Sequence, residues 1–133
     1  MTQEHVMGCH YILDISDADS DTLNDEEFLR DLLEAAAIVS GCTVLQTISH
    51  KFSPQGVTAI TMLSESHISI HTWPERGEAA VDVFTCGDAD CKYAGDFIVA
   101  AIGGRTHETN YLERHRAHEV QNPYPISVSY NTV

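Results

Sequence analysis

Apolar residues recur with two different periods along this chain, and the switches between them mark its elements. Residues 5–15, HVMGCHYILDI, read as a first strand. Over residues 22–40, TLNDEEFLRDLLEAAAIVS, the period lengthens. Leu23, Phe28, Leu32, Ala35 or Ala36 and Val39 recur at helical spacing, acidic residues crowd the first turns, and Gly41 supplies a stop. Residues 43–52, TVLQTISHKF, return to a strand pattern. SPQG at 53–56 is a turn signal, and VTAITMLS at 57–64 follows as the other arm of a hairpin. From residue 67 the alternation is strict: His67, Ser69, His71 and Trp73 point one way, and Ile68, Ile70 and Thr72 the other. Pro74 ends that strand. AAVDVFTC at 79–86 forms the next, with Asp82, Phe84 and Cys86 on one face. Residues 90–102, DCKYAGDFIVAAI, read as a helix stopped by Gly103-Gly104, and a last strand is expected around 106–113.

This order of elements predicts an α+β fold, a two-layer sandwich. Strands joined by short turns form an antiparallel β-sheet, and two helices cover one of its faces. The other face then carries His67, His71, Trp73 and Cys86, or meets a partner. The length, 133 residues, suits one domain with one core. That domain is expected over 1–114, with a polar, proline-containing tail over 115–133.

Charge narrows the partners. A net charge of −13 repels phosphate backbones, so nucleic acid is not an expected partner. No apolar run approaches the roughly 20 residues of a membrane span. The opening MTQEHVMGCHYILDISDAD lacks a basic region followed by a long apolar one, so no signal peptide is read there. The expectation is a cytoplasmic protein with no membrane partner. In that setting Cys9, Cys42, Cys86 and Cys91 are expected as reduced thiols, with Cys9 and Cys42 as small core fillers.

The segment LSESHISIHTWPE, residues 63–75, holds two serines, two histidines and two carboxylates inside a strand pattern. Three chemistries bear on it. The H-x-x-x-H spacing suits a zinc site on a helix, but on a strand residues four apart lie roughly 13 Å apart, so no metal is expected. Ser66 and His71 are the residue types of a hydrolytic pair, with Glu65 or Asp82 as orienter, but no G-x-S-x-G elbow surrounds the serine. The third chemistry is self-processing. A serine hydroxyl attacks the carbonyl before it, the peptide becomes an ester, and β-elimination cuts the chain. The serine remnant hydrolyses from dehydroalanine to a ketoacyl cap, an electrophile and electron sink made from the chain itself. That chemistry needs a serine at a tight peptide, a base for the elimination, and later a proton donor. Glu65-Ser66, His71 and Cys86 supply those types.

LSESHISIHTWPE followed by AAVDVFTCGD, with HKFSPQGVT at 50–58 ahead of both, resembles the core of the prokaryotic pyruvoyl-dependent S-adenosylmethionine decarboxylases. The resemblance covers about residues 7–113 in order. It implies cleavage between Glu65 and Ser66, giving a β chain of 1–65 and an α chain of 66–133. Ser66 would become the pyruvoyl group, the cofactor, and bind substrate as a Schiff base. His71 would assist elimination during processing, and Cys86 would protonate the substrate carbon after carbon dioxide leaves. Phe52 and Trp73 resemble the rings lining the adenosyl pocket, and Glu75 the carboxylate that holds the ribose hydroxyls. The implied partners are S-adenosylmethionine and a second copy, in a homodimer with active sites at its interface. The implied product is the aminopropyl donor of spermidine synthesis. Thr58 departs from the family, which usually carries a serine there to assist the acyl shift; threonine keeps the hydroxyl but stiffens χ1.

Two alternatives stand beside this reading: decarboxylation of ornithine or arginine on the same fold, and an unprocessed, non-catalytic binding or regulatory homologue. One geometric demand follows as well. A regular strand puts Ser66 on the face of Ile68 and Ile70, opposite His71, so this reading requires a bend or bulge near 65–67. His67 is left between substrate contact and structural histidine, Asp82 between solvated carboxylate and orienter, and His5, His10, His50, His107, His115 and His118, with no assigned role, are placed on the surface.

Overall fold

A computed structural model describes residues 6–64 and 66–115. Its six strands are β1 (Val6–Ser16), β2 (Val44–Lys51), β3 (Val57–Leu63), β4 (Ser66–Trp73), β5 (Glu78–Cys86) and β6 (Arg105–His115). They form one sheet in the order β2-β3-β4-β5-β1-β6, with every adjacent pair antiparallel. The helices are α1 (Ser20–Leu23), α2 (Glu26–Val39) and α3 (Cys91–Ile102). The two long helices lie on one face of the sheet, as the pattern predicts; α1 is an additional single turn.

The expected single helix over 22–40 is two. Asp19 caps α1 by accepting from the Thr22 N–H, and Asp25 caps α2 by accepting from the Phe28 N–H at 3.0 Å. Each cap satisfies an orphan amide of a first turn, so the chain restarts the helix at Asp25. The restart also moves the buried face. α2 buries Leu29, Leu32, Leu33, Ala36 and Ala37, while Phe28 and Val39 are exposed. α3 starts in the same way, with Asp90 accepting from the Tyr93 N–H.

The core lies between the helices and one sheet face. β1 contributes Tyr11, Leu13 and Ile15; β3 contributes Val57, Ala59 and Leu63; β4 Ile68 and Ile70; β5 Ala79, Val81 and Val83. α3 approaches β1 so closely that a Cβ at Gly95 would collide with the Tyr11 ring, which explains the glycine there. Thr72, buried at the end of β4, accepts from the Val57 N–H at 2.9 Å and donates to the Leu23 carbonyl at 2.8 Å, so α1 is tied to the centre of the sheet.

Among the described residues no element covers the opposite sheet face. It presents His10, Ile48, Met62, His67, His71, Trp73, Phe84 and Cys86, with Ile48 and Met62 each more than half exposed. The cysteine expectation needs correction. Cys9 on β1 is joined to Cys91 at the start of α3, with Cα atoms 6.3 Å apart, within normal disulfide reach. Cys42 and Cys86 lie outside that bond. The tail assigned to 115–133 falls, but for His115 in β6, outside the described residues, as do His5 and His118.

Candidate active site

The hairpin between β3 and β4 sets the first half of the site. Leu63 pairs with Ser66, and the register then continues unbroken through Met62–His67, Thr61–Ile68, Ile60–Ser69, Ala59–Ile70 and Thr58–His71. The bend required near 65–67 is therefore absent from Ser66 onward, and Glu65 lies outside the described residues. The ladder to β3 holds Ser66 in line, and the Ser66 Oγ accepts the Cys86 N–H at 3.0 Å, fixing it against β5. A cavity of about 380 Å³ opens there, lined by Cys42, Ser64, Ser66, Cys86 and Asp88 among others.

The second half lies at the other end of β4. Thr58 and His71 face each other across β3 and β4, with Thr58 Oγ1 2.9 Å from His71 Nδ1. Phe52, Gln55, Trp73 and Glu75 join them around a cavity of about 320 Å³. Phe52 is 48% exposed and Trp73 38% exposed, so both present ring surface outward. His50 stands edge-on to Phe52 at 4.6 Å, and the Arg76 guanidinium lies 5.6 Å from the Trp73 ring centre. Pro74 breaks the strand and opens a turn of 3-10 helix over Pro74–Arg76, which carries Glu75 to the cavity edge.

The predicted residues thus form two groups. Ser66 and Cys86 make one; Phe52, Thr58, His71, Trp73 and Glu75 make the other. Ser66 and His71 are five residues apart on a regular strand, roughly 17 Å, and on opposite faces. Within one chain the processing serine and its expected base do not meet.

The sequence model of the S-adenosylmethionine decarboxylase family matches residues 9–115. The chain belongs to that family. It is 47% identical over 110 residues to the S-adenosylmethionine decarboxylase proenzyme of Prochlorococcus marinus (strain MIT 9313), covering 82% of this chain and 88% of the relative. The proenzyme of Synechococcus sp. (strain WH7803) is 58% identical over 83 residues, 62% of this chain and 65% of the relative. Among solved structures, the adenosylmethionine decarboxylase of Aquifex aeolicus superposes with a TM-score of 0.79 at 35% identity, covering 89% of this chain and 98% of that one. Membership of the S-adenosylmethionine decarboxylase family also agrees with the α+β sandwich read from the strand and helix pattern.

This member of the S-adenosylmethionine decarboxylase family carries one polar feature near the site that sequence reading left unassigned. His10 Nε2 lies 3.2 Å from Asp82 Oδ1 on the uncovered face. Their contact depends on β1 pairing with β5, an association spanning 72 positions that alternation within either strand does not reveal. Burial, then the nearby Asp96 carboxylate, raises the Tyr11 hydroxyl above its usual range. Hydrogen bonds from Thr22 lower the Asp19 carboxyl. No helix among the described residues is long and apolar enough to cross a membrane.

Proposed function

We propose that this chain is a proenzyme that cuts itself between Glu65 and Ser66 and then, with a pyruvoyl group made from Ser66, decarboxylates S-adenosylmethionine. The observation that carries the reading is the pairing of Ser66 Oγ with the Cys86 amide at the head of one cavity. It puts the residue to be converted beside the proposed proton donor. The surroundings fit such a group, because the serine oxygen leaves with the Glu65 carboxylate and frees the Cys86 N–H as a donor beside the carbonyl formed from the rest of Ser66. A pyruvoyl carbonyl supplies an electrophile for the substrate amine and a sink for the electrons released with carbon dioxide.

The remaining steps belong to this chain's own side chains. Cys86 gives a proton to the carbon that the carboxylate leaves; a thiol suits this because its ordinary pKa lies near neutral pH. Phe52 and Trp73 offer rings on which an adenine stacks, and Glu75 offers carboxylate oxygens to the ribose hydroxyls. In processing, His71 removes the Ser66 Cα proton during elimination, and Thr58 holds the imidazole through Nδ1.

These assignments need both groups of residues at one place. We propose that a second copy supplies the missing half. A two-fold axis lying parallel to the sheet and perpendicular to β4, between two uncovered faces near Ser69, exchanges the two ends of β4. It brings the Ser66–Cys86 end of one chain toward the His71–Trp73 end of its partner. The exposed Ile48 and Met62 on that face would gain cover in the same step.

Ornithine and arginine are the rival substrates on the same fold. The paired rings of Phe52 and Trp73 and the carboxylate of Glu75 favour a nucleoside, since a small amino acid uses neither a stacking platform nor a ribose clamp. The test is carbon dioxide release from S-adenosylmethionine, ornithine and arginine, measured for the wild type and Ser66→Ala. The expected result is release from S-adenosylmethionine alone and none from the variant. An active Ser66→Ala, or preference for ornithine or arginine, overturns the reading.

A further inference from the structure

The uncovered face carries a second polar arrangement beside Cys86. β1 runs along β5 with Gly8 opposite Cys86, His10 opposite Phe84 and Ile12 opposite Asp82. His10 Nε2 reaches Asp82 Oδ1 at 3.2 Å, and the His10 side chain is the more enclosed of the two, 19% exposed against 36%. Its ring lies against Phe84, with centroids 5.8 Å apart, and meets His67 edge-on at 6.5 Å. From β6 the Arg114 guanidinium covers Phe84 at 5.2 Å. The charged and titratable groups facing His10 are therefore Asp82 on β5, His67 on β4 and Arg114 on β6, with Cys86 further along β5.

A carboxylate at Nε2 holds the neutral ring's proton on that nitrogen and leaves Nδ1 bare. The same carboxylate stabilises the ring once Nδ1 is protonated. Such a dyad takes up and returns a proton at Nδ1.

The proposed reaction creates a need for that service. Each turnover breaks the bond between the substrate carbon and its carboxylate, releases carbon dioxide, and places one proton on the carbon left behind. If Cys86 gives that proton, it ends as a thiolate and must regain a proton before the next cycle. No electron leaves or enters, and the proton comes finally from solvent. Gly8, directly opposite Cys86, sets no side chain beside it, and a Cβ there would collide with the Thr85 carbonyl. Residues offset by two on neighbouring antiparallel strands lie about 7–8 Å apart, a gap that a ring spans alone or with one water. A partner copy over this face would also limit direct access of bulk solvent to Cys86.

We propose that the His10–Asp82 dyad re-protonates Cys86 after each decarboxylation, directly or through one water. The inference rests on the decarboxylase reading above. His10 acts through Cys86, so it is a positioning residue and not a catalytic one.

The test uses full-length, self-processed enzyme and rapid-quench product analysis with S-adenosylmethionine. His10→Ala is expected to complete its first turnover per site at the wild-type rate and then slow about a hundredfold, the low end of what a positioned proton-transfer group supplies. Imidazole buffer is expected to restore the later turnovers in proportion to its concentration. Asp82→Asn keeps the ring but loses its orienting carboxylate, so the same initial burst is expected with a smaller slowing. That variant also carries the test if His10→Ala does not fold. First and later turnovers slowing together, no slowing, or no response to imidazole overturns the proposal while the decarboxylase reading stands. A wild type that releases no carbon dioxide overturns both.

Discussion

Ser66 and Cys86 sit two strands' ends apart in sequence yet share one hydrogen bond, the Cys86 amide to the Ser66 hydroxyl. The two residues should nevertheless separate by variant. Cys86→Ala keeps the backbone N–H and the serine, so the chain is expected to cut itself while carbon dioxide release falls about a hundredfold or more. Parallel denaturing gels and release assays check this. Thr58 acts on the other event. Its hydroxyl meets His71 Nδ1 at 2.9 Å, so Thr58→Val is expected to slow cleavage and Thr58→Ser to preserve it, read from the time course of fragment appearance. The residue types at the site were legible because Glu65-Ser66, His71 and Cys86 sit in a short, specific pattern. The division into two groups was not, because it depends on which strand face each residue occupies. Regular alternation already put Ser66 opposite His71, and from Ser66 onward the described strand shows no bend that would join them.

At the level of elements, the alternating segments translated almost directly. The meander β3-β4-β5 follows chain order because short connections make neighbours. The insertion of β1 between β5 and β6 is a long-range pairing that no local pattern encodes, and the His10–Asp82 contact depends on it. The helix boundary at Asp25 was hidden because the apolar spacing runs on through Asn24, while the decision rests with side-chain caps. Asp25→Ala and Asp90→Ala are each expected to cost about 1 kcal/mol in denaturant unfolding. Two titrations belong here as well. The Tyr11 hydroxyl, tying β1 to Asp96 of α3, has its pKa raised in the fold. Its stabilising contribution is therefore full below pH 10.0 and lost as pH rises beyond it, and Tyr11→Phe should flatten that alkaline loss in thermal melts. The Asp19 carboxyl is lowered, so its contribution is present above 3.8 and fades as pH falls further.

For the whole molecule, the separation of the two groups along β4 makes assembly part of the chemistry. If each site takes one group from either copy, two inactive variants complement each other. Processed Cys86→Ala mixed and reassembled with Trp73→Ala is expected to regain about a quarter of full activity, since half of random dimers are mixed and each keeps one intact site. Self-cleavage itself is the claim on which all of this depends. The most direct measurement is the intact mass of the purified wild-type chain under denaturing conditions. Two fragments are expected, divided between Glu65 and Ser66, the larger carrying a pyruvoyl terminus. A single species at 14.7 kDa would contradict self-cleavage.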